Sequence, residues 1–265
     1  MLASPALSRT ARRADRFSRM AMLAAGEAWE HGRAVGVTLN PLRTGLIVAT
    51  ALGPHARTFA FLDGILDFGD LAASPTDFSH SVHNAAAAYI AIRLGLRGPT
   101  LTVTDFNCGF AQAVLLGQCW LASGSCDHVL VGAVEELGDV LLHVTARLLT
   151  GKPWPVPAEG AAFLLLGRDG HRLPRADATP EDSAKPTDLM LDDAPCVPSA
   201  DRPQQRPPAA NSHLDLAPLF GNSFHGCAFR TVAAATLLQH PALAASLLPG
   251  QPVPRRITAL TIRPN

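Results

Sequence analysis

The chain carries no net charge: its 22 Lys and Arg offset 22 Asp and Glu over 265 residues, and only 17% of the residues are charged. Nucleic acid or an anionic membrane surface therefore finds no bulk charge to hold. Long apolar runs are missing too, and none approaches the roughly 18 to 20 residues of a membrane span. The cysteines at 108, 119, 126, 196 and 227 form an odd set without a CxxC pair. Several lie in apolar runs where a thiol behaves as a small hydrophobe, which reads as a protein of the reducing cytoplasm. Five arginines between Ser8 and Arg19 are followed by no apolar h-region, so the N-terminal stretch does not read as a secretory signal. Asp15 interrupts the acid-poor bias of a transit peptide, and no internal repeat is visible.

What is present is an apolar fraction of 48%, in a chain long enough to bury a core as one α/β domain or two small ones. From about Arg12 to His31 the apolar residues Phe17, Met20, Met22, Leu23 and Trp29 recur at helical spacing among arginines. Gly45-Leu-Ile-Val-Ala-Thr50 is a continuous apolar run suited to a strand buried on both faces. A helix is expected over His55 to Phe68, then a capping turn at Ser74-Pro-Thr-Asp77 and a helix from about Phe78 to Leu94. Strand Thr100 to Thr104, a helix through Ala111, Val114, Leu115 and Trp120, and strand His128 to Val134 make a βαβ unit, which favours a parallel sheet. Another strand is expected in Gly160 to Leu166. Beyond Arg168, up to about Pro218, the chain is rich in Pro, Asp, Ala and Ser without periodicity and reads as a disordered or loosely packed insert. Phe224 to His240 then reads as an Ala-rich helix and Arg256 to Arg263 as an alternating strand.

One cysteine stands apart by position. Cys108 lies in Leu101-Thr-Val-Thr-Asp-Phe-Asn-Cys-Gly-Phe110, where an apolar strand breaks sharply into a small-residue helix. A thiol at such an elbow faces the positive end of a helix, which favours thiolate and covalent catalysis. His80 and His83 form an HxxH pair, but no third metal ligand is evident and a structural or interface role is expected. Glu135, Glu136 and Glu159 are carboxylates placed to satisfy nearby backbone or cap a helix, with acid/base work as the sharper alternative for the first two. No residue set points to a resident cofactor.

Four segments in order carry a resemblance. Ser74-Pro-Thr-Asp-Phe-Ser-His-Ser-Val-His-Asn-Ala-Ala-Ala-Ala88, Leu96-Arg-Gly-Pro-Thr-Leu-Thr-Val103, Val129-Leu-Val-Gly-Ala-Val-Glu135 and Pro157-Ala-Glu-Gly-Ala-Ala162 resemble the β-ketoacyl synthase family, and within it a short, chain-length-factor-like subgroup. The resemblance covers roughly residues 10 to 167. It implies a thiolase-like α/β fold: a mixed, mainly parallel sheet flanked by helices, with a truncated second half. It also implies acyl chemistry on carrier-protein thioesters, with Cys108 at the nucleophile position.

The family's other catalytic groups do not transfer as directly. Its His-Gly-Thr-Gly-Thr-like segment has no counterpart, and its position falls in the Pro-rich insert. The second histidine belongs to a Gly-His-x-x-Gly-Ala-Ala-Gly turn preceded by Lys. Gly221-Asn-Ser-Phe-His-Gly-Cys-Ala228 is the candidate, with Asn222 at the His position, His225 one helical turn later and no Lys nearby. A second alignment sets Phe220 to Gly226 on the family's terminal Gly-Phe-Gly-Gly loop. The organisation so implied is a synthase-like domain over 1–167, the insert over 168–218 and a remnant of the C-terminal half over 219–265. The partners implied are a full-length ketosynthase and acyl carrier protein. In the resembled fold the strand before the nucleophile pairs across a two-fold axis, so a dimer is expected, and the Arg9, Arg12, Arg13, Arg16 and Arg19 face is a candidate for the acidic carrier.

Overall fold

The computed structural model describes residues 11–106, 109–148, 158–168, 188–192, 228, 232 and 256–261. Strand β1, Thr44–Thr50, is buried at all seven positions, as the unbroken apolar run requires of a strand covered on both faces. It is central in a four-stranded sheet with β2, Thr100–Thr104, on one side and β3, His128–Glu135, on the other. Both neighbours run parallel to β1, with Leu46 opposite Thr100 and Leu130. Strand β4, Gly160–Gly167, closes the far side antiparallel to β3, so the sheet is mixed but mainly parallel.

Alternation along the strands builds two cores. Leu46, Val48, Leu130, Val134 and Phe163 face helix α1, Arg16–Ala34, and its Phe17, Ala21, Met22 and Trp29. Full burial of side chains of this size contributes roughly 1.5–3 kcal/mol each. Ile47, Ala49, Val129, Val131 and Ala133 face the opposite way, toward Phe110, Ala113 and Val114 of helix α5, Gly109–Ala122. Ala228 and Val232, both helical, lie against this second core.

Three helices fill the stretch between β1 and β2. Helix α2 spans His55–Phe68, α3 Pro75–Ser81 and α4 Ala85–Leu94. Helix α4 buries Ala86, Ala87 and Ile90 in the first core. By contrast, α2 packs mainly on α3 and on the short 3-10 turn at 70–72, and has little other contact with the body. Before β2 the chain passes so close beneath β1 that a Cβ on Gly98 would run into the Thr44 carbonyl. Pro99 then accepts the amide of Leu46 at 2.9 Å and pairing begins.

Several expectations need correction. The helix expected over Phe78 to Leu94 is two helices, broken at Val82–Asn84, although Ser74 does cap α3 by accepting the Asp77 amide at 3.2 Å. Asp15 restarts the first helix, accepting the Ser18 amide at 3.3 Å. Helix α6, Asp139–Leu148, lies outside the elements expected above, although its Val140, Leu141, Val144 and Leu148 recur at helical spacing. Within the Pro-rich stretch, Asp188–Asp192 is a strand, β5, paired parallel with β6, Arg256–Thr261. The rest of that stretch lies outside the described residues.

Candidate functional site

The carboxyl ends of parallel strands are where open α/β sheets place their chemistry. Here β2 ends at Thr104, the amide of Asp105 donates to the Thr50 carbonyl at 3.2 Å, and Gln112 Nε2 donates to Asp105 Oδ2 at 3.3 Å. Helix α5 then starts at Gly109 with Phe110 and Ala111 buried. Cys108 itself lies outside the described residues, but both flanks are in place. A strand end pinned to β1 leads within a few residues into a 14-residue helix, whose N-terminal dipole stabilises an anion at the turn. Asn222 and His225 also lie outside the described residues, as does Arg9.

The same end of the sheet carries a cluster of buried carboxylates. Glu135, at the end of β3, reaches across to β1 and accepts the amides of Ala51 and Leu52. Glu136 accepts the Ala56 amide at 3.0 Å, in the first turn of α2, where Pro54 offers no side-chain cap. Burial pushes the Glu136 carboxyl up to about 7, with Asp15 and Glu159 adding to the shift while the Ala56 amide and Arg16 oppose it. His55 Nδ1 stands 4.0 Å from Glu136 Oε1, and neither His55 ring nitrogen makes a hydrogen bond within the described residues. Burial holds His55 below the ordinary imidazole value, against the Gly53 carbonyl and Glu135. Glu159 accepts the Leu137 amide at 3.1 Å and pairs with Arg16.

Neighbouring histidines are locked in structural roles. His80 Nε2 lies 2.8 Å from the Tyr89 hydroxyl, and that hydroxyl donates its single proton to the Arg13 carbonyl at 3.0 Å. The His80 nitrogen is therefore the donor in this pair. His83 packs against Gly53, where a Cβ would run into the ring, and the φ of +63° there favours glycine as well. His80 lies on α3 while His83 lies in the break after it, and among the described residues no group of His, Cys, Asp and Glu could hold a metal ion. Arg12 and Arg13 just before α1 and Arg16 and Arg19 in its first turn are all exposed, and Arg13 also gives its carbonyl to Tyr89. Sequence reasoning misses His55, for which the only local signal is a Gly-Pro pair ahead of a helix. No described helix is long and apolar enough to cross a membrane.

Known proteins share parts of this chain. The family model described as "Beta-ketoacyl synthase, N-terminal domain" matches residues 5–149, more than half of the chain. Nodulation protein E of Rhizobium sp. (strain N33) is 30% identical over 121 residues, 46% of this chain and 30% of that protein. Among solved structures, the ishigamide ketosynthase/chain length factor matches with a TM-score of 0.52 at 22% identity, over 61% of this chain and 46% of that one. A β-ketoacyl synthase from Burkholderia phymatum STM815 matches with a TM-score of 0.53 at 19% identity, over 63% and 45%. A type II PKS acyl-carrier protein in complex with its ketosynthase matches with a TM-score of 0.52 at 21% identity, over 60% and 49%. The chain thus spans less than half the length of each of these relatives, and the likeness to the solved structures is one of fold.

Proposed function

From the β-ketoacyl synthase family, to which this chain belongs through its N-terminal domain, we propose that the protein acts as a chain-length-factor-like subunit that pairs with a full-length ketosynthase. By packing against that partner it shapes the acyl tunnel in a fatty acid or polyketide type of biosynthesis, with aryl polyene chains as a candidate product class. The observation that carries this reading is the open outer edge of β2. Among the described residues no strand pairs with that edge, and Leu101 beside it is 39% exposed. An unpaired edge in a soluble chain is an aggregation template unless another strand or subunit covers it. The likeness of fold to the ishigamide ketosynthase/chain length factor supports the same kind of partnership.

The remaining assignments follow from this role. Residues 1–167 form the synthase-like domain, 168–218 the insert and 219–265 the remnant of a second half, which the packing of Ala228 and Val232 on the α5 side supports. An acyl carrier protein docks at the arginine face of α1, and the protein works in the cytoplasm. Size exclusion with and without a co-expressed ketosynthase tests the pairing. A discrete heterodimer is expected, and a chain that stays monomeric and soluble with every synthase of its pathway overturns it.

A second reading rests on the elbow around residues 104–110. In it Cys108 is the acyl acceptor, with Asn222 or His225 as its polar partner. Incubation with acyl carrier thioesters then yields a mass adduct that Cys108→Ala abolishes; an unmodified wild-type chain removes this reading.

A further inference from the structure

Helix α2 rests on the body of the protein at one end only. Of its 14 residues just His55, at the first position, is buried. Beyond that anchor its ties run to α3: the Phe61 and Phe78 rings at 5.6 Å, Arg57 with Asp77 at 3.5 Å, and the Thr58 hydroxyl donating to the Ser81 carbonyl at 3.0 Å. Phe59, Leu62 and Leu66 stand exposed at helical spacing, and Phe68, Leu71 and Phe78 carry the apolar surface around the end of the hairpin. Apart from the helix itself, nothing lies within 4 Å of a Cβ placed on Gly64.

The charge of the hairpin is one-sided. Across residues 55–81 it carries Asp63, Asp67, Asp70 and Asp77 against Arg57 alone, although the whole chain is neutral. Asp77 takes Arg57, and Asp63, Asp67 and Asp70 stand exposed with no ion pair among the described residues. Asp63 and Asp67 are one helical turn apart, so they form a row along one flank of Phe59, Leu62 and Leu66, with α3 on the other. Asp70 opens the 3-10 turn that carries Leu71.

We propose that this acid-edged apolar hairpin is a docking surface for a protein other than a second copy of this chain, its occupant being an apolar groove bordered by Lys or Arg. Resting on the pairing proposed above, that groove belongs to the ketosynthase subunit. Docking on the same face of a second copy is isologous, and it sets Asp63, Asp67 and Asp70 against their own counterparts where little water remains to screen them. An anionic lipid surface repels the same three carboxylates, and an uncharged one offers nothing in return for their desolvation. A cationic rim turns these groups into attraction, while the apolar row supplies the dry centre of a stable interface. The carboxylates thus decide which partner is accepted, and the Leu and Phe side chains how tightly it is held.

The test compares the wild-type chain with a variant in which the three free carboxylates are neutralised together, Asp63→Asn, Asp67→Asn and Asp70→Asn. In titration calorimetry at about 50 mM salt the variant should bind the ketosynthase about tenfold more weakly, and the wild-type affinity should fall by a like factor at about 500 mM salt while that of the variant stays level. Without any partner, the variant should self-associate about tenfold more tightly than the wild-type chain in sedimentation velocity, because the apolar row remains and the repulsion is gone. A folded variant that matches the wild-type chain in both measurements overturns the proposal. So does a wild-type affinity indifferent to salt, which serves if the variant does not fold. Self-association of the wild-type chain that Leu66→Ser with Leu71→Ser abolishes makes a second copy the occupant and overturns it too, as does flotation of the chain with phosphatidylcholine vesicles, with or without phosphatidylglycerol. Failure to bind any ketosynthase sinks the pairing role alone, and the self-association of the Asn variant then decides the hairpin by itself.

Discussion

The central strands and the α2–α3 hairpin draw on the same kinds of large apolar side chain and expose them in opposite ways. Every residue of β1 is buried, whereas Leu66, Phe68 and Leu71 are 77 to 100% exposed. The difference lies in what each element is given to rest on. Strand β1 has hydrogen-bonded neighbours on both sides and helices on both faces, so its apolar run is satisfied within the chain. The hairpin has its own short helices and a polar anchor at its base. Among the described residues nothing covers this apolar surface, and a contiguous exposed patch is the kind of surface that interaction sites present.

Four variants would break or sharpen that contrast. Val131→Asp buries an unpaired charge in the middle of the sheet and should cost more than about 4 kcal/mol, read as loss of cooperative denaturant unfolding. Gly98→Ala drives a methyl group into the Thr44 carbonyl and should cost about 1–3 kcal/mol, seen as a lower denaturation midpoint at unchanged slope. Gly64→Ala, in the open middle of α2 with nothing near its Cβ, should stabilise the chain by up to about 1 kcal/mol in the same assay. Leu66→Ser with Leu71→Ser should move stability by no more than about 0.5 kcal/mol, yet weaken association with a ketosynthase about tenfold or more in titration calorimetry. If the last pair unfolds the chain instead, the hairpin belongs to the core and the contrast fails.

The sheet is far more legible in the sequence than the site. The run Gly45 to Thr50 and the segment Thr100 to Thr104 announce strands because unbroken β-branched and apolar residues have few other uses. Helix α2 is legible to its boundary at Phe68, because Gly53-Pro54 and Gly69 punctuate both ends. The break at Val82–Asn84 is hidden because no Gly or Pro marks it and the alanines after it favour helix. Periodicity finds the stripe of α2 but cannot say that it faces water, since that depends on which elements reach it. For Glu135 and Glu136 the adjacent acids at a strand end are visible, and a backbone-satisfying role is the expected one. The amides they hold lie about 80 residues away in the chain, a pairing that only the parallel register creates.

That register also sets an order of assembly. Strand β1 comes first in the chain and lies between β2 and β3, which never touch each other. The crossover through α5 therefore joins two strands that do not pair with each other, and until the earlier strand is seated between them β3 has only β4 to pair with and β2 has no partner among the described residues. The segment from Thr100 to Glu135 holds two strands and a helix but no sheet of its own. Folding must wait for contacts spanning more than 50 residues on one side and more than 80 on the other, a topology that slows collapse to the native state. Expression of residues 100–168 alone should accordingly give an aggregating fragment, rescued only by supplying β1 in trans.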